Sequence, residues 1–475
     1  MCGIVGICGK VLKLTQAQSL LQLLVHRGQD ASGLAWIDET GKHCLAKVKG
    51  QPIQIPLPEV NSRYILGSTR YPTYGNRNGN VPVEKFAQPF SVETRLGQLT
   101  ICHNGQIANI RKFSKHEFHS DAEFIANLLG EFIDNGNDLV MASKKLMDIL
   151  DGAYSITGFL GHTFFGIRDP RGIRPMVYGF HDGFAVIASE SLVLQQAGMP
   201  EIKEMPPGGL LIFDEDELTI QQLVKTEKRP CMFEYVYFAS AASEINERSV
   251  YETRLRLGEL LGDQIRNAGI EADAVVPVPD TSRTASQTLS EKLGIPLRDA
   301  ILKNRSSMRT FIMPAEDERL AAAKSKYLFI EGMIKGKRLL LVDDSIIRGL
   351  TLKYLISLLR QKGATEIHVA ITNPPTRYPC YYGVDFTTKK ELIASQKSVE
   401  EIRREIGADS LTYLTHENLK RAIDLPELCM ACIDGNYPTP FGQHLKRLLE
   451  EGMILETMTH YESDEIIEVA LAKEE

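Results

Sequence analysis

Three groups of residues could do chemistry: Cys2, the acidic pair Asp343-Asp344, and the cysteines at 231, 380, 429 and 432. Removal of Met1 would leave Cys2 with a thiol and a free α-amino group, whose reference pKa is about 8. One residue then holds both nucleophile and base, because the amine can take the thiol proton directly or through water. An isolated cysteine at this position is more simply a strand residue, so its company must decide. Asp343-Asp344 follows the buried-strand run Arg338-Leu339-Leu340-Leu341-Val342 and opens the loop Ser345-Ile346-Ile347-Arg348-Gly349-Leu350-Thr351. Carboxylates at a strand end can accept hydrogen bonds from vicinal ribose hydroxyls, while N–H groups of a loop and helix start can cradle a 5′-phosphate. Alone, an Asp-Asp pair also suits a metal site or a turn. The run Cys429-Met430-Ala431-Cys432 is open between zinc, redox and cluster chemistry. With Cys231 and Cys380 it fits either a tetrathiolate zinc or an iron–sulfur centre.

Such residues need elements to hold them. Short alternating segments fill the first ~225 residues, among them Tyr64-Ile65-Leu66-Gly67, Leu99-Thr100-Ile101 and Ala185-Val186-Ile187-Ala188, a pattern of mainly antiparallel sheet with a few helices. After the polar stretch Lys225-Thr226-Glu227-Lys228-Arg229-Pro230, apolar strands such as Ala274-Val275-Val276-Pro277-Val278 alternate with helical patterns, the signal of a parallel sheet. One such helix follows the acidic loop, with apolar positions Leu352, Leu355, Ile356 and Leu359 and a glycine stop at Gly363. The 475 residues exceed one hydrophobic core, and two domains are expected, 2–228 and 229–475. The second ends in a charged, helical extension from Gly442 to Glu475.

A hydrophobic fraction of 43% with 24% charged residues excludes disordered and collagen-like chains. The net charge of −7 gives no global attraction to nucleic acid or anionic membranes, so a phosphate ligand needs a local site. There is no membrane-length apolar run and no basic segment followed by an apolar stretch at the N-terminus, so a cytoplasmic address is expected. In that compartment the eight cysteines do not read as a disulfide framework. Cys8, Cys44 and Cys102 are read as small buried residues.

Cys2-Gly3-Ile4-Val5-Gly6-Ile7 is followed by His26-Arg27-Gly28-Gln29-Asp30, Arg70-Tyr71, Cys102-His103-Asn104-Gly105 and Ser120-Asp121-Ala122-Glu123. This ordered set resembles the class II glutaminase domain of the N-terminal-nucleophile hydrolases, an αββα sandwich. The resemblance implies that Arg70 pairs with the glutamine carboxylate as a two-pronged donor and that Asp121 accepts from its α-ammonium. It implies an oxyanion hole from the Asn104 side chain and the Gly105 N–H. Arg27 is read as a support rather than a ligand, and His26 and His103 as structural. Two departures stand out: Ser68-Thr69-Arg70-Tyr71-Pro72-Thr73 replaces the family's H-T-R-Y-S-T, and the stretch from Asn109 to Ser120 is short. Pro72 stiffens the loop that would close over glutamine.

The acidic loop closely resembles the phosphoribosyl pyrophosphate motif of type I phosphoribosyltransferases, an α/β fold with a mainly parallel sheet. Pro277-Val278-Pro279-Asp280-Thr281-Ser282-Arg283, Lys303-Asn304-Arg305 and Arg309-Thr310-Phe311-Ile312-Met313-Pro314 extend the likeness to the amidophosphoribosyltransferase family over nearly the whole chain. By that resemblance Asp343, Asp344 and Thr281 help to place Mg²⁺ on the substrate, Lys303 and Arg305 face pyrophosphate, and Ser345, Gly349 and Thr351 belong to the phosphate loop. Magnesium should keep waters and share substrate oxygens. Leu350 departs from the family, which has a threonine there, and the segment Arg319 to Lys337 diverges while keeping Lys324 and Lys326.

One branch of this family uses four cysteines in these positions for a [4Fe–4S] cluster, and the resemblance assigns Cys231, Cys380, Cys429 and Cys432 to that role. The implied reaction takes glutamine, phosphoribosyl pyrophosphate and water to 5-phosphoribosylamine, glutamate and pyrophosphate, the first step of de novo purine synthesis. Purine nucleotides as inhibitors and a tetramer are further implications. Leu350 keeps two rivals in view, a paralogue feeding ammonia to another phosphorylated acceptor and a non-catalytic sensor of phosphoribosyl pyrophosphate.

Overall fold

A computed structural model describes residues 1–71, 82–113, 118, 120–214, 217–304 and 326–453. Alternation in the first half produces two antiparallel sheets. The seven-stranded sheet runs in the order 203–204, 177–181, 184–188, 3–13, 61–70, 31–37 and 43–49. The six-stranded sheet runs in the order 217–222, 209–214, 163–168, 152–160, 97–107 and 90–94. Ile4, Cys8, Ala35 and Leu66 from one sheet meet Cys102, Phe159, Phe164 and Leu211 from the other in a dry layer. Leu14–Gln22 and Ser191–Gln196 cover the outer face of the first sheet. Asp121–Asp134 and Leu139–Ile149 cover that of the second. This is the αββα sandwich.

The second half is built on four parallel strands in the order Ala274–Pro277, Arg338–Asp343, Glu366–Ile371 and Ser410–Tyr413. All of Leu339 to Val342 is buried, because helices lie on both faces. Leu352, Leu355, Ile356 and Leu359 line the buried stripe of helix Leu350–Gln361, and Gly363 follows its end at φ +91°. An antiparallel pair, Ile301–Lys303 with Tyr327–Phe329, sits beside the sheet. The charged C-terminal segment begins as helix Pro440–Glu450, and the rest of the expected extension lies outside the described residues. Met1, Ala108, Ala153 and Ile173 join Cys231, Tyr382 and Cys429 in one apolar cluster, so the halves share a core. No helix among the described residues is long and apolar enough to cross a membrane.

Candidate active sites

Cys2 stands at the start of the central strand Gly3–Lys13, and its nitrogen donates to Asn104 Oδ1 at 3.2 Å. That bond uses the carbonyl end of the Asn104 amide. The Nδ2 end is fully buried and has no partner among the described residues. The neighbouring nitrogen of Gly3 donates to Thr69 Oγ1 at 3.2 Å, which sets the end of strand Asn61–Arg70, and so Arg70, beside the nucleophile. Arg70 is buried, ion-paired with Asp30 and stacked on Phe86 with 5.0 Å to the ring centroid. Asp121 opens helix Asp121–Asp134 under a Ser120 cap, and its Oδ2 accepts from Ile107 N at 2.9 Å at the end of the Asn104 strand. Cys2, Asn104, Arg70 and Asp121 are thus tied to neighbouring strand ends.

Gly105 has a conformational reason to be glycine. Its φ is +147°, and a Cβ there would lie 1.9 Å from the Ala153 carbonyl oxygen. On its other side, a Cβ on Gly383 would come within 3.2 Å of the Gly105 carbonyl carbon, so the segment carrying Cys380 lies against this backbone. Behind Cys2 is a buried ionic network. Arg27 Nε donates to the Cys2 carbonyl at 3.0 Å, and its other nitrogens reach Glu190 Oε1 at 2.6 Å and both Glu234 oxygens at 2.9 and 3.0 Å. His26 bonds Glu190 at 2.7 Å. Burial would raise the Glu190 carboxyl, yet His26 and Arg27 hold it far below the usual range. Burial pushes His103 down to about 3, so it is neutral. With Met1 in place, burial lowers its α-amine to about 5.

At the second centre Asp343 ends its strand and Asp344 begins the loop, at the C-terminal edge of the parallel sheet where ligands bind in such folds. Asp344 N donates to Asp343 Oδ1 at 3.0 Å, and Ser345 Oγ donates to Asp344 Oδ1 at 2.7 Å. Burial, then the charge of Asp344, pushes Asp343 well above the carboxylate range. Burial raises Asp344 to about 6 despite Ser345, Arg254 and Lys326. Half-buried Thr281 follows the strand Ala274–Pro277. Lys303 pairs with its neighbour Asp280 at 2.6 Å, across the end of the same strand. Gly349, at φ +77°, caps helix Leu350–Gln361 without a side-chain cap, and Leu350 and Thr351 are exposed. Arg305, Lys324 and the segment 309–314 lie outside the described residues.

A glutamine amidotransferase domain matches residues 76–196, and a phosphoribosyl transferase domain matches residues 250–401. The chain is 38% identical to an amidophosphoribosyltransferase of Methanothermobacter thermautotrophicus over 92% of its own length and 94% of that protein. It belongs to the amidophosphoribosyltransferase family. Its counterpart in Pseudomonas aeruginosa is 36% identical over 92% of this chain and 93% of that one. Among solved structures, the glutamine phosphoribosylpyrophosphate amidotransferase of B. subtilis, complexed with ADP and GMP, superposes with a TM-score of 0.82 at 33% identity, covering 93% of this chain and 98% of that one.

The four cysteines come from three segments. Cys231 and Cys429 form a parallel bridge, with Cys429 N on the Pro230 carbonyl at 2.8 Å. The Cys432 carbonyl accepts from Arg377 N at 2.8 Å and Tyr378 N at 3.1 Å, and Cys380 Sγ accepts from Tyr382 N at 3.4 Å. Burial pushes the thiols of Cys231, Cys429 and Cys432 up, and the neighbouring thiols push further. No set of three or more His, Cys, Asp or Glu side chains among the described residues forms a group able to hold a metal ion. Of the other cysteines, Cys8 and Cys102 are buried. Cys44 is not: at the edge of its sheet it is partly exposed, its thiol 3.7 Å from Asp38 Oδ2. Glu190, Glu234 and Arg174 are charged neighbours that motif reading missed, since isolated charged residues carry no local signature, while Asp30 stood in the 26–30 motif without an assigned role.

Proposed function

We propose that the two centres serve one reaction, with Cys2 freeing ammonia from glutamine and the Asp343-Asp344 loop holding phosphoribosyl pyrophosphate for its attack. The product is 5-phosphoribosylamine, with glutamate and pyrophosphate, at the first step of de novo purine synthesis. After loss of Met1, the α-amine of Cys2 takes the thiol proton and the sulfur attacks the glutamine amide carbon. Asn104 Nδ2 and the Gly105 N–H then receive the oxyanion, and Arg70 and Asp121 hold the two ends of the amino acid. The observation that carries this reading is the 3.2 Å bond between Cys2 N and Asn104 Oδ1, which leaves the fully buried Nδ2 donor of the same amide without a partner among the described residues. Leaving such a donor unpaired costs about 1–3 kcal/mol, which an incoming oxygen recovers.

In the other half, Asp343 and Asp344 accept from the ribose hydroxyls, Ser345, Gly349 and Thr351 line the 5′-phosphate, and Lys303 with Arg305 meets the pyrophosphate. Thr281, Asp343 and Asp344 are the groups that would share Mg²⁺ with substrate oxygens, and the ion when bound would supply positive charge against the pyrophosphate. The geometry supports this assignment, because the two carboxylates stand side by side at the end of a parallel strand, with Asp344 N on Asp343 Oδ1 at 3.0 Å. Cys231, Cys380, Cys429 and Cys432 fit a [4Fe–4S] cluster as an all-thiol donor set, three buried and Cys432 partly so, whose segments are joined by backbone hydrogen bonds. When bound, the cluster supplies a cross-link between the transferase core and residues 429–432 rather than a reacting group.

We place the domain boundary near residue 228, between the last strand of the sandwich, which ends at Gln222, and Cys231. A cytoplasmic address, a tetramer and inhibition by purine nucleotides complete the reading. The ADP and GMP in the B. subtilis structure support the last of these. The test is an anaerobic assay with glutamine, Mg²⁺ and phosphoribosyl pyrophosphate. Formation of phosphoribosylamine with stoichiometric glutamate is expected, and glutamate without pyrophosphate would point to another acceptor.

A further inference from the structure

We propose that Arg174 is a positioning residue shared by two sites: its free N–H donors face the four-thiolate centre, while its bonded end steadies Cys2 through Glu234 and Arg27. This rests on the cluster reading above. Arg174 is fully buried, and its Nη1 reaches Glu234 Oε1 at 3.1 Å and Met1 Sδ at 2.8 Å. Its Nε and Nη2 have no partner among the described residues. A guanidinium cannot shed its proton to escape that position, so the site has to provide an acceptor or a negative charge.

The surroundings say which. The carbonyl of Ile173, one residue earlier, accepts from Cys231 N at 3.1 Å, and Cys231 is bridged to Cys429. Cys231, Cys380 and Cys429 all lie within electrostatic range of the guanidinium. The salt bridges of the network pair Arg27 and Arg174 with Glu190 and Glu234, two against two, with His26 also on Glu190. Four thiolates around an iron–sulfur core bring further negative charge into this apolar cluster, and N–H donors aimed at the sulfurs are what stabilises it.

The opposite end of the guanidinium leads to the nucleophile. Glu234 Oε1 accepts from both Arg174 Nη1 at 3.1 Å and Arg27 Nη2 at 2.9 Å, and Arg27 Nε holds the Cys2 carbonyl at 3.0 Å. Glu234 itself opens a π-helical turn, Glu234–Phe238, three residues after Cys231. Ligation at Cys231 and the aim of Cys2 are therefore set by one short buried segment. Removing the Arg174 charge should make the centre harder to reduce and loosen Cys2.

The test uses the full-length protein purified anaerobically, as wild type, Arg174→Met, Arg174→Lys and Glu234→Gln. Iron and sulfide content, the midpoint potential from EPR-monitored reduction, and glutamine- and ammonia-dependent activities are measured. For Arg174→Met a more negative potential is expected, together with a drop of about tenfold in glutamine-dependent kcat as the nucleophile loses its fixed position. Ammonia-dependent activity, which needs only the transferase centre, should persist. Arg174→Lys, which keeps the charge without the fork, should restore the potential more than the glutaminase. Glu234→Gln should lower glutaminase, and it tests the relay even if Arg174→Met does not fold. Wild-type potential in a folded Arg174→Met or, where that variant does not fold, unchanged glutaminase in Glu234→Gln overturns the inference. Wild-type protein without iron would instead overturn the cluster reading on which it rests.

Discussion

Glu190 and Asp344 are both buried carboxylates, yet one is held far below the ordinary range and the other is raised to about 6. Burial acts on both in the same direction, so the difference lies in their partners. Glu190 has Arg27 and His26 on one oxygen and Ser240 N with Ser243 Oγ on the other. Asp344 has the Ser345 hydroxyl and, beside it, another carboxylate. The glutaminase centre is organised before substrate arrives. On the proposed reading, the acidic pair of the transferase centre takes its countercharge from a cation and its hydrogen bonds from a ribose. Substitutions at the first centre should therefore break geometry, and those at the second should change what its ligand has to supply.

The largest effect is expected at Cys2. Cys2→Ala should abolish glutamine-dependent synthesis and spare synthesis from free ammonia, since the nucleophile serves only the first half-reaction. Parallel assays with each nitrogen donor check this, and equal loss of both would refute the two-centre scheme. Gly105→Ala comes next. Its Cβ would meet the Ala153 backbone oxygen at 1.9 Å in the paired strand Gly152–Leu160, so the strand must move. A loss of about 10²–10³ in glutaminase kcat is expected from a displaced oxyanion donor. A strain cost of about 1–3 kcal/mol should appear in thermal unfolding. Near-normal glutamate release would show that the preorganisation argued here is not needed.

The sheet classes were legible because each has its own periodicity. Residues 64–67, 99–101 and 185–188 alternate and lie in antiparallel strands, while Leu339 to Val342 runs unbroken because helices cover both faces. Cys2, Arg70, Asn104, Gly105 and Asp121 were legible as short motifs with fixed neighbours. What joins them was not. Cys2 and Asn104 are 102 positions apart, and Arg27 and Glu234 are 207 apart. A lone glutamate in an apolar stretch reads as a surface residue until the fold supplies its arginine. Cys44 shows the converse, since its small apolar character suggested burial and the edge position of its strand decided otherwise.

The pH dependence of stability sharpens the comparison. Asp344 has its folded pKa, about 6, above an unfolded value of about 4, so the folded state holds the extra proton. Stability from this group is present below about pH 4 and is lost as pH rises through about 6. Asp344→Asn should accordingly raise the Tm of the ligand-free protein at pH 7.5 by a few degrees and change it little at pH 4.5. Glu190 has the opposite sign: its stabilisation is present above its unfolded pKa and lost in acid, so Glu190→Gln should lower Tm at pH 7.5. Scanning calorimetry across this range, without Mg²⁺, decides between them. A fall in Tm for both variants at pH 7.5 would mean that the acidic pair is already stabilised without a ligand.

The smallest effect is expected at Leu350, and it tests whether the phosphate cradle is really the backbone. Leu350 is 54% exposed at the first position of helix Leu350–Gln361, whose Gly349 cap offers no side-chain acceptor to the first N–H groups. Those donors, at the positive end of a helix, are what a 5′-phosphate would meet. Leu350→Thr adds one hydroxyl. A hydrogen bond to a charged group contributes about 1.5–3 kcal/mol, or one to two decades in affinity. Competition from water at so exposed a position reduces this, so a fall of about tenfold or less in KM for phosphoribosyl pyrophosphate is expected. The gain should fall on KM and leave kcat unchanged, because the 5′-phosphate is remote from the anomeric carbon and its contacts are alike in ground and transition states. Steady-state kinetics at saturating ammonia isolates the transferase centre for this measurement. An unchanged KM, with no phosphoribosyl pyrophosphate binding by calorimetry in either form, would mean that the loop has taken another ligand and that its backbone geometry alone does not define the substrate.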